Sequence, residues 1–153
     1  DRLTVKSRDA LATAEAQARR RSHQEVSSLH LLSALLEQDD GLAAPLLEKA
    51  GVDLHSLRRD LELALEKRPR VEGGDSYLGR DLKEVLDDAF GQADRLKDDY
   101  VSTEHLLLGI ASGKNRAADI LAGHGVRQDR TQLASQSIQA GRRRMRTQHQ
   151  RKS

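Results

Sequence analysis

The chain has 153 residues, 33% of them charged, with no cysteine and only Tyr77, Phe90 and Tyr100 as aromatic residues. That length suffices for one domain with its own core. The lack of cysteine excludes disulfides and thiolate metal sites, and no run approaches the roughly 18 consecutive apolar residues of a membrane-spanning helix. No signal-peptide pattern opens the sequence, and a cytoplasmic location is expected. The pI of about 9.1 belongs to one end. From Arg142 onward, "RRRMRTQHQRKS" holds six Lys and Arg and no acid, and without it 20 basic residues face 24 acidic ones. Residues 142–153 are read as a basic tail or linker. Nucleic acid is not expected as a partner, because the tail lacks interleaved aromatics and residues 1–141 are net acidic.

Leucine, with 24 copies, and alanine carry nearly all the apolar content, which favours helices over strands. Leu3, Ala10, Leu11, Ala14 and Ala18 recur at helical spacing and predict a first helix. Ser27 is placed to cap a second, running through Glu37, by accepting from a first-turn N–H. "LAAPLLEKAG" predicts a short third helix with Gly51 at the left-handed position past its end. Asp53 caps a fourth, whose Leu54, Leu57, Leu61 and Leu65 lie on one face. "KRPRVEGGDSYLG" follows, with Pro69, Gly73, Gly74 and Gly79, and is expected to be a mobile connector. Four more helices are predicted at roughly 80–97, 102–112, 115–123 and 127–140. Glu104 falls in a first turn, where its charge suits the helix dipole.

The second set of helices repeats the first. At an offset of 75 residues, Leu11, Ala14, Gln17, Ala18, Arg20, Val26, Ser27, His30, Leu31 and Leu32 meet identical residues. After a one-residue deletion the offset is 74, and Ala43, Ala44, Leu47, Gly51 and Val52 do the same. A period of this length marks a duplicated structural unit. The expected fold class is all-α: two tandem four-helix repeats, about 4–67 and 80–140 around a connector at 68–79. A pseudo-twofold axis relates them, and one core serves the whole domain of residues 1–141.

Catalytic and metal chemistry find no support. His30 and His105 each sit in the first turn of a leucine-rich helix, where a polar contact at the helix end is the expected role. No HExxH or other close pair of ligands occurs, so no metal site is expected. "GIASGKN" at 109–115 has three residues between its glycines where a phosphate loop has four. Asn115 also stands where that loop needs Ser or Thr, and a helix precedes it instead of a strand. The paired acids Asp39–Asp40, Asp87–Asp88 and Asp98–Asp99 converge on no nucleophile or base. The chain is therefore not expected to be an enzyme, and no cofactor is expected in it.

The duplicated unit with "SxxHLLxALL" followed by "LLEKAGVD" resembles the Clp N-terminal domain, over both repeats as far as about residue 140. "DRLTVK", "APLLEKAGVD" and "RPRVEGG" resemble most the ClpB-type branch, the AAA+ disaggregase chaperones. The resemblance implies a domain that captures unfolded or aggregated polypeptide for a nucleotide-driven ring, with an adaptor protein as a further possible partner. The isolated domain is expected to be a monomer and the parent protein a hexamer. ATP and magnesium would belong to AAA+ modules elsewhere in the parent. The resemblance further implies a groove between the N-terminal segment and the second repeat, with Leu3 and Thr4 on one wall and Asp88, Gln92 and His105 facing it. Several family members carry leucine at those second-repeat positions, so this groove is more polar. The related ClpC branch uses Glu in both copies of "TEH" to recognise phosphoarginine. Here Glu104 is kept but Leu29 stands at the first position, which disfavours that ligand there. The alternative reading is an adaptor-docking domain of a ClpC/ClpA-type unfoldase, or a stand-alone Clp-N protein.

Overall fold

Seven helices and two very short strands make up residues 2–126, which the computed structural model describes. In chain order they are α1 (Val5–Arg20), β1 (Glu25–Val26), α2 (Ser28–Glu37), α3 (Ala43–Lys49), α4 (Leu54–Glu66), β2 (Tyr77–Leu78), α5 (Arg80–Arg95), α6 (Thr103–Ser112) and α7 (Arg116–Gly123). The helix predicted at 127–140 and the basic tail lie outside the described residues.

Several boundaries have a local cause. Ser27 caps α2 by accepting from the Leu29 N–H, and Asp53 caps α4 by accepting from the His55 and Ser56 N–H groups. Asn115 caps α7 through the Ala118 N–H. The "GIASGKN" stretch is thus the last turn of α6 and the cap of α7. Gly51 (φ 92°) and Gly125 (φ 88°) occupy the left-handed position past α3 and α7. There the Val52 and Val126 N–H groups return to Leu47 O and Leu121 O.

The core is a continuous leucine and alanine cluster shared by both repeats. The tightest packing joins α5 to α6. A Cβ placed on Gly109 of α6 would stand 2.7 Å from Val85 O and 3.3 Å from Ala89 Cβ, so that interface needs the glycine. A polar tie crosses between repeats: the Ser28 hydroxyl donates to Asp81 Oδ2 at 2.6 Å and accepts from the Ala117 N–H at 3.2 Å. The starts of α2, α5 and α7 are thereby held together.

The two repeats exchange their opening strands. β1 pairs in parallel with β2, so that Val26 of the first repeat faces Leu78, at the start of the second. Leu3, at the start of the first repeat, bridges in parallel to Val101 of the second. Leu3 therefore belongs to a strand bridge, not to the helical stripe in which its spacing placed it. The connector is likewise pinned: Arg68 is buried, the Val71 N–H donates to Ser22 O at 2.8 Å, and Tyr77–Leu78 form β2.

Candidate functional site

The surface singled out by the sequence lies where residues 2–4 meet α5 and the turn before α6. The Thr4 N–H donates to Val101 O at 3.1 Å, the Val101 N–H to Arg2 O at 2.8 Å, and the buried Ser7 hydroxyl to Val101 O at 2.9 Å. Thr4 is the N-cap of α1, its hydroxyl accepting from the Ser7 N–H at 3.1 Å. It holds the wall in place more than it offers a contact.

Arg2, which the sequence reading passed over, ties this wall to the second repeat. Its guanidinium pairs with Asp94 at 2.8 Å, donates to Asp98 O and Asp99 O at 3.1 and 3.2 Å, and stands 5.6 Å from the Phe90 ring centroid. Arg–carboxylate and Arg–aromatic contacts both favour this planar cation. Phe90 and Asp94 are one helical turn apart and share a flank of α5. Asp88 and Gln92 are also one turn apart, but at 3.6 residues per turn each points about 160° away from Phe90. Asp88 reaches toward the α6–α7 corner, where its Oδ2 would be 3.2 Å from a Cβ on Gly113. Both Asp88 and Gln92 are half-buried. The five residues therefore flank α5 on two sides instead of meeting at one point.

His105 is fully enclosed. Its Nδ1 accepts from the Ser102 N–H at 2.9 Å, which leaves the proton on Nε2, and Nε2–H donates to Asp98 Oδ2 at 2.8 Å. Of the residues expected to face the groove it is the buried one, a lock whose Nε2–H ends on the part-exposed Asp98 carboxylate. His30 makes the same first contact, accepting from the Ser27 N–H at 2.9 Å, but its Nε2–H donates to His23 Nδ1 at 2.9 Å. In both copies the helix-end contact expected for the histidine is present. The signal in the sequence was the duplicated S-x-x-H, a capping box with histidine in place of Glu or Gln.

The partner of each lock is delivered by the same turn. α1 and α5 each end two residues before a left-handed residue, Ser22 (φ 57°) and Lys97 (φ 58°). The following N–H, of His23 or Asp98, returns to Ala18 O or Ala93 O. That turn sets residue 23 or 98 beside the histidine. Burial holds His30 down at about 4, helped by His23, Arg68 and Arg21, and His23 is lowered by burial and then by Arg21, Arg68 and Arg70. Among the described residues there is no cluster of three or more metal-ligating side chains and no helix long and apolar enough to cross a membrane.

Two helical repeats with exchanged opening strands and matching histidine locks define a duplicated, pseudo-symmetric helical domain. The model of the Clp repeat (R) N-terminal domain matches residues 2–124. The chain belongs to that family. It is 42% identical over 127 residues to the chaperone protein ClpB of Rhodopirellula baltica, covering 82% of this chain and 14% of that one. With ClpB of Mycobacterium leprae it shares 40% over 124 residues, covering 80% and 15%. The chain thus spans about a seventh of the length of these relatives. In fold it is similar to the Hsp104 N-terminal domain of Candida albicans, with TM-score 0.76, 21% identity and 90% of each chain covered. It is also similar to the N-terminal domain of the ClpV1 ATPase from E. coli, with TM-score 0.71, 24% identity and coverage of 86% and 81%. Another similar structure is a complex of the ClpV N-domain with a VipB peptide, at TM-score 0.69 and 20% identity.

Proposed function

We propose that this chain is the substrate-binding N-terminal domain of a ClpB-like disaggregase, taking up unfolded or aggregated polypeptide for a nucleotide-driven ring elsewhere in the parent protein. ATP and magnesium would serve that ring. One observation carries the site. The glutamine shared by both repeats is enclosed in the first copy, where Gln17 is 3% exposed, but stands half-open in the second as Gln92. The half-open flank of α5 bearing Asp88 and Gln92 would receive an extended chain, and Leu3 and Thr4 would form the wall on the other side of the helix. Weak, reversible capture suits delivery, because an unfolded segment loses conformational entropy when it is held.

A labelled, permanently unfolded model protein titrated against the domain tests this. Binding in the micromolar range or looser is expected. Gln92→Leu should tighten it several-fold, since about 1 kcal/mol of added apolar burial is a factor of about five. Equal affinity for wild type and Gln92→Leu, with the fold intact, would remove this flank from the client site.

A further inference from the structure

A second cleft, of about 580 Å³, opens between the end of α4, β1 and α7. Leu29, Ala64 and Ile120 are its apolar lining, and Lys67 from the end of α4 and Arg116 from the start of α7 add two cations. Both cations are exposed. Arg68 runs along the cleft with a side chain only 8% exposed and pairs through Nη2 with Glu25 at 3.0 Å. Its buried Nε–H finds no acceptor among the described residues. Glu25 is therefore engaged, and Asp119 at the rim is the remaining acid of the lining. The neighbouring His23 is depressed by burial first and then by Arg21, Arg68 and Arg70, so these cations lie close to it.

The duplicate corner of the second repeat is built differently. At the positions equivalent to Leu29, Glu25 and Arg116 it carries Glu104, Tyr100 and Leu42. Where the first corner has Leu29 beside Arg116, the second thus has the carboxyl side chain of Glu104 beside Leu42, on one scaffold. We infer that the α4–α7 cleft binds a peptide segment in which aliphatic side chains alternate with carboxylates. The aliphatic groups would seat on Leu29, Ala64 and Ile120, and the carboxylates would meet Lys67, Arg116 and the under-satisfied Arg68. This site is separate from the α5 surface and does not depend on it.

The test uses the whole chain and a fluorescein-labelled ten-residue peptide alternating leucine with glutamate, followed by polarisation. Saturable binding is expected, weakening as salt rises. The double variant Lys67→Glu/Arg116→Glu should weaken it roughly tenfold. Both residues are exposed, so an unchanged melting curve is expected to accompany the loss. Ile120→Asp should weaken it as well, and Gln92→Leu should leave it unchanged while altering capture of the unfolded protein. Three results would overturn the inference. One is equal affinity in the charge-reversed variant. Another is equal affinity for an all-glutamate peptide, which would make the cleft a charge patch alone. The third is tighter binding by a labelled ten-nucleotide single strand that displaces the peptide, which would make it a nucleic-acid surface.

Discussion

The first repeat fastens its buried histidine to another histidine, whereas the second fastens its histidine to an aspartate. The backbone is the same in both: a left-handed residue after the first helix, a side chain turned inward, and an S-x-x-H box waiting for it. Only the chemistry of residue 23 or 98 differs. His23–His30 is a neutral pair in a basic corner, and His105–Asp98 is a pair in which a carboxylate accepts. Duplication has kept the geometry of the lock and let its charge diverge. The same divergence separates the two clefts and the two glutamines.

Removing a lock should have the largest effect. His105→Ala deletes a fully buried ring and leaves the Ser102 N–H without its acceptor. A loss of about 3 kcal/mol is expected in urea denaturation, with His30→Ala costing a similar amount. A loss in one copy only would show that the two locks are not equivalent in stability. Next comes Gly109→Ala. The first repeat has Ala34 at the equivalent position, but the second packs Gly109 directly on Val85 O, so overpacking should cost about 2 kcal/mol despite alanine's better helix propensity. A neutral result would mean that α5 and α6 separate easily.

The pH response sharpens the comparison further. In the folded state His23 and His30 resist protonation, His30 down to about 4, while in the unfolded chain they take up protons near 6.5. Their contribution is complete above pH 6.5 and is lost as the pH falls from 6.5 toward 4. His23→Asp rebuilds the second lock inside the first, with Arg21, Arg68 and Arg70 facing the new carboxylate. It should flatten the fall in denaturation midpoint between pH 7 and pH 5. An unchanged slope would place the acid sensitivity elsewhere. The smallest effect is at the helix starts. Thr4 caps α1 with its hydroxyl, whereas Gly79 gives α5 no side-chain cap. Thr4→Ala should lower stability by about 1 kcal/mol, so a change in client binding by this variant has to be read against its melting curve.

The helices were legible because leucine and alanine recur at 3.6 spacing and because Ser27, Gly51 and Asp53 are strong local stop and start signals. The exchanged strands were not. Two residues carry no periodicity, and the partner of Leu3 lies 98 positions away at Val101. A helical stripe could absorb Leu3 without conflict. The site was half legible. The S-x-x-H repeat announced the locks, but whether a histidine in a first turn faces solvent or the core depends on the residue seven positions earlier. Arg2 gave no signal, since only the exchange brings it to Phe90, Asp94 and Asp98.

That exchange also says something about ancestry. A single repeat cut from this domain would have an opening strand with no place of its own to pair, and an unfilled edge beside its second helix. Two such halves would satisfy each other only as a symmetric pair, each lending its first residues to its twin. The duplicated chain thus holds in one polypeptide the arrangement that a symmetric pair of halves would need. The connector between the repeats makes the meeting of the two halves independent of concentration, and each half can differ in sequence from the other without losing its partner.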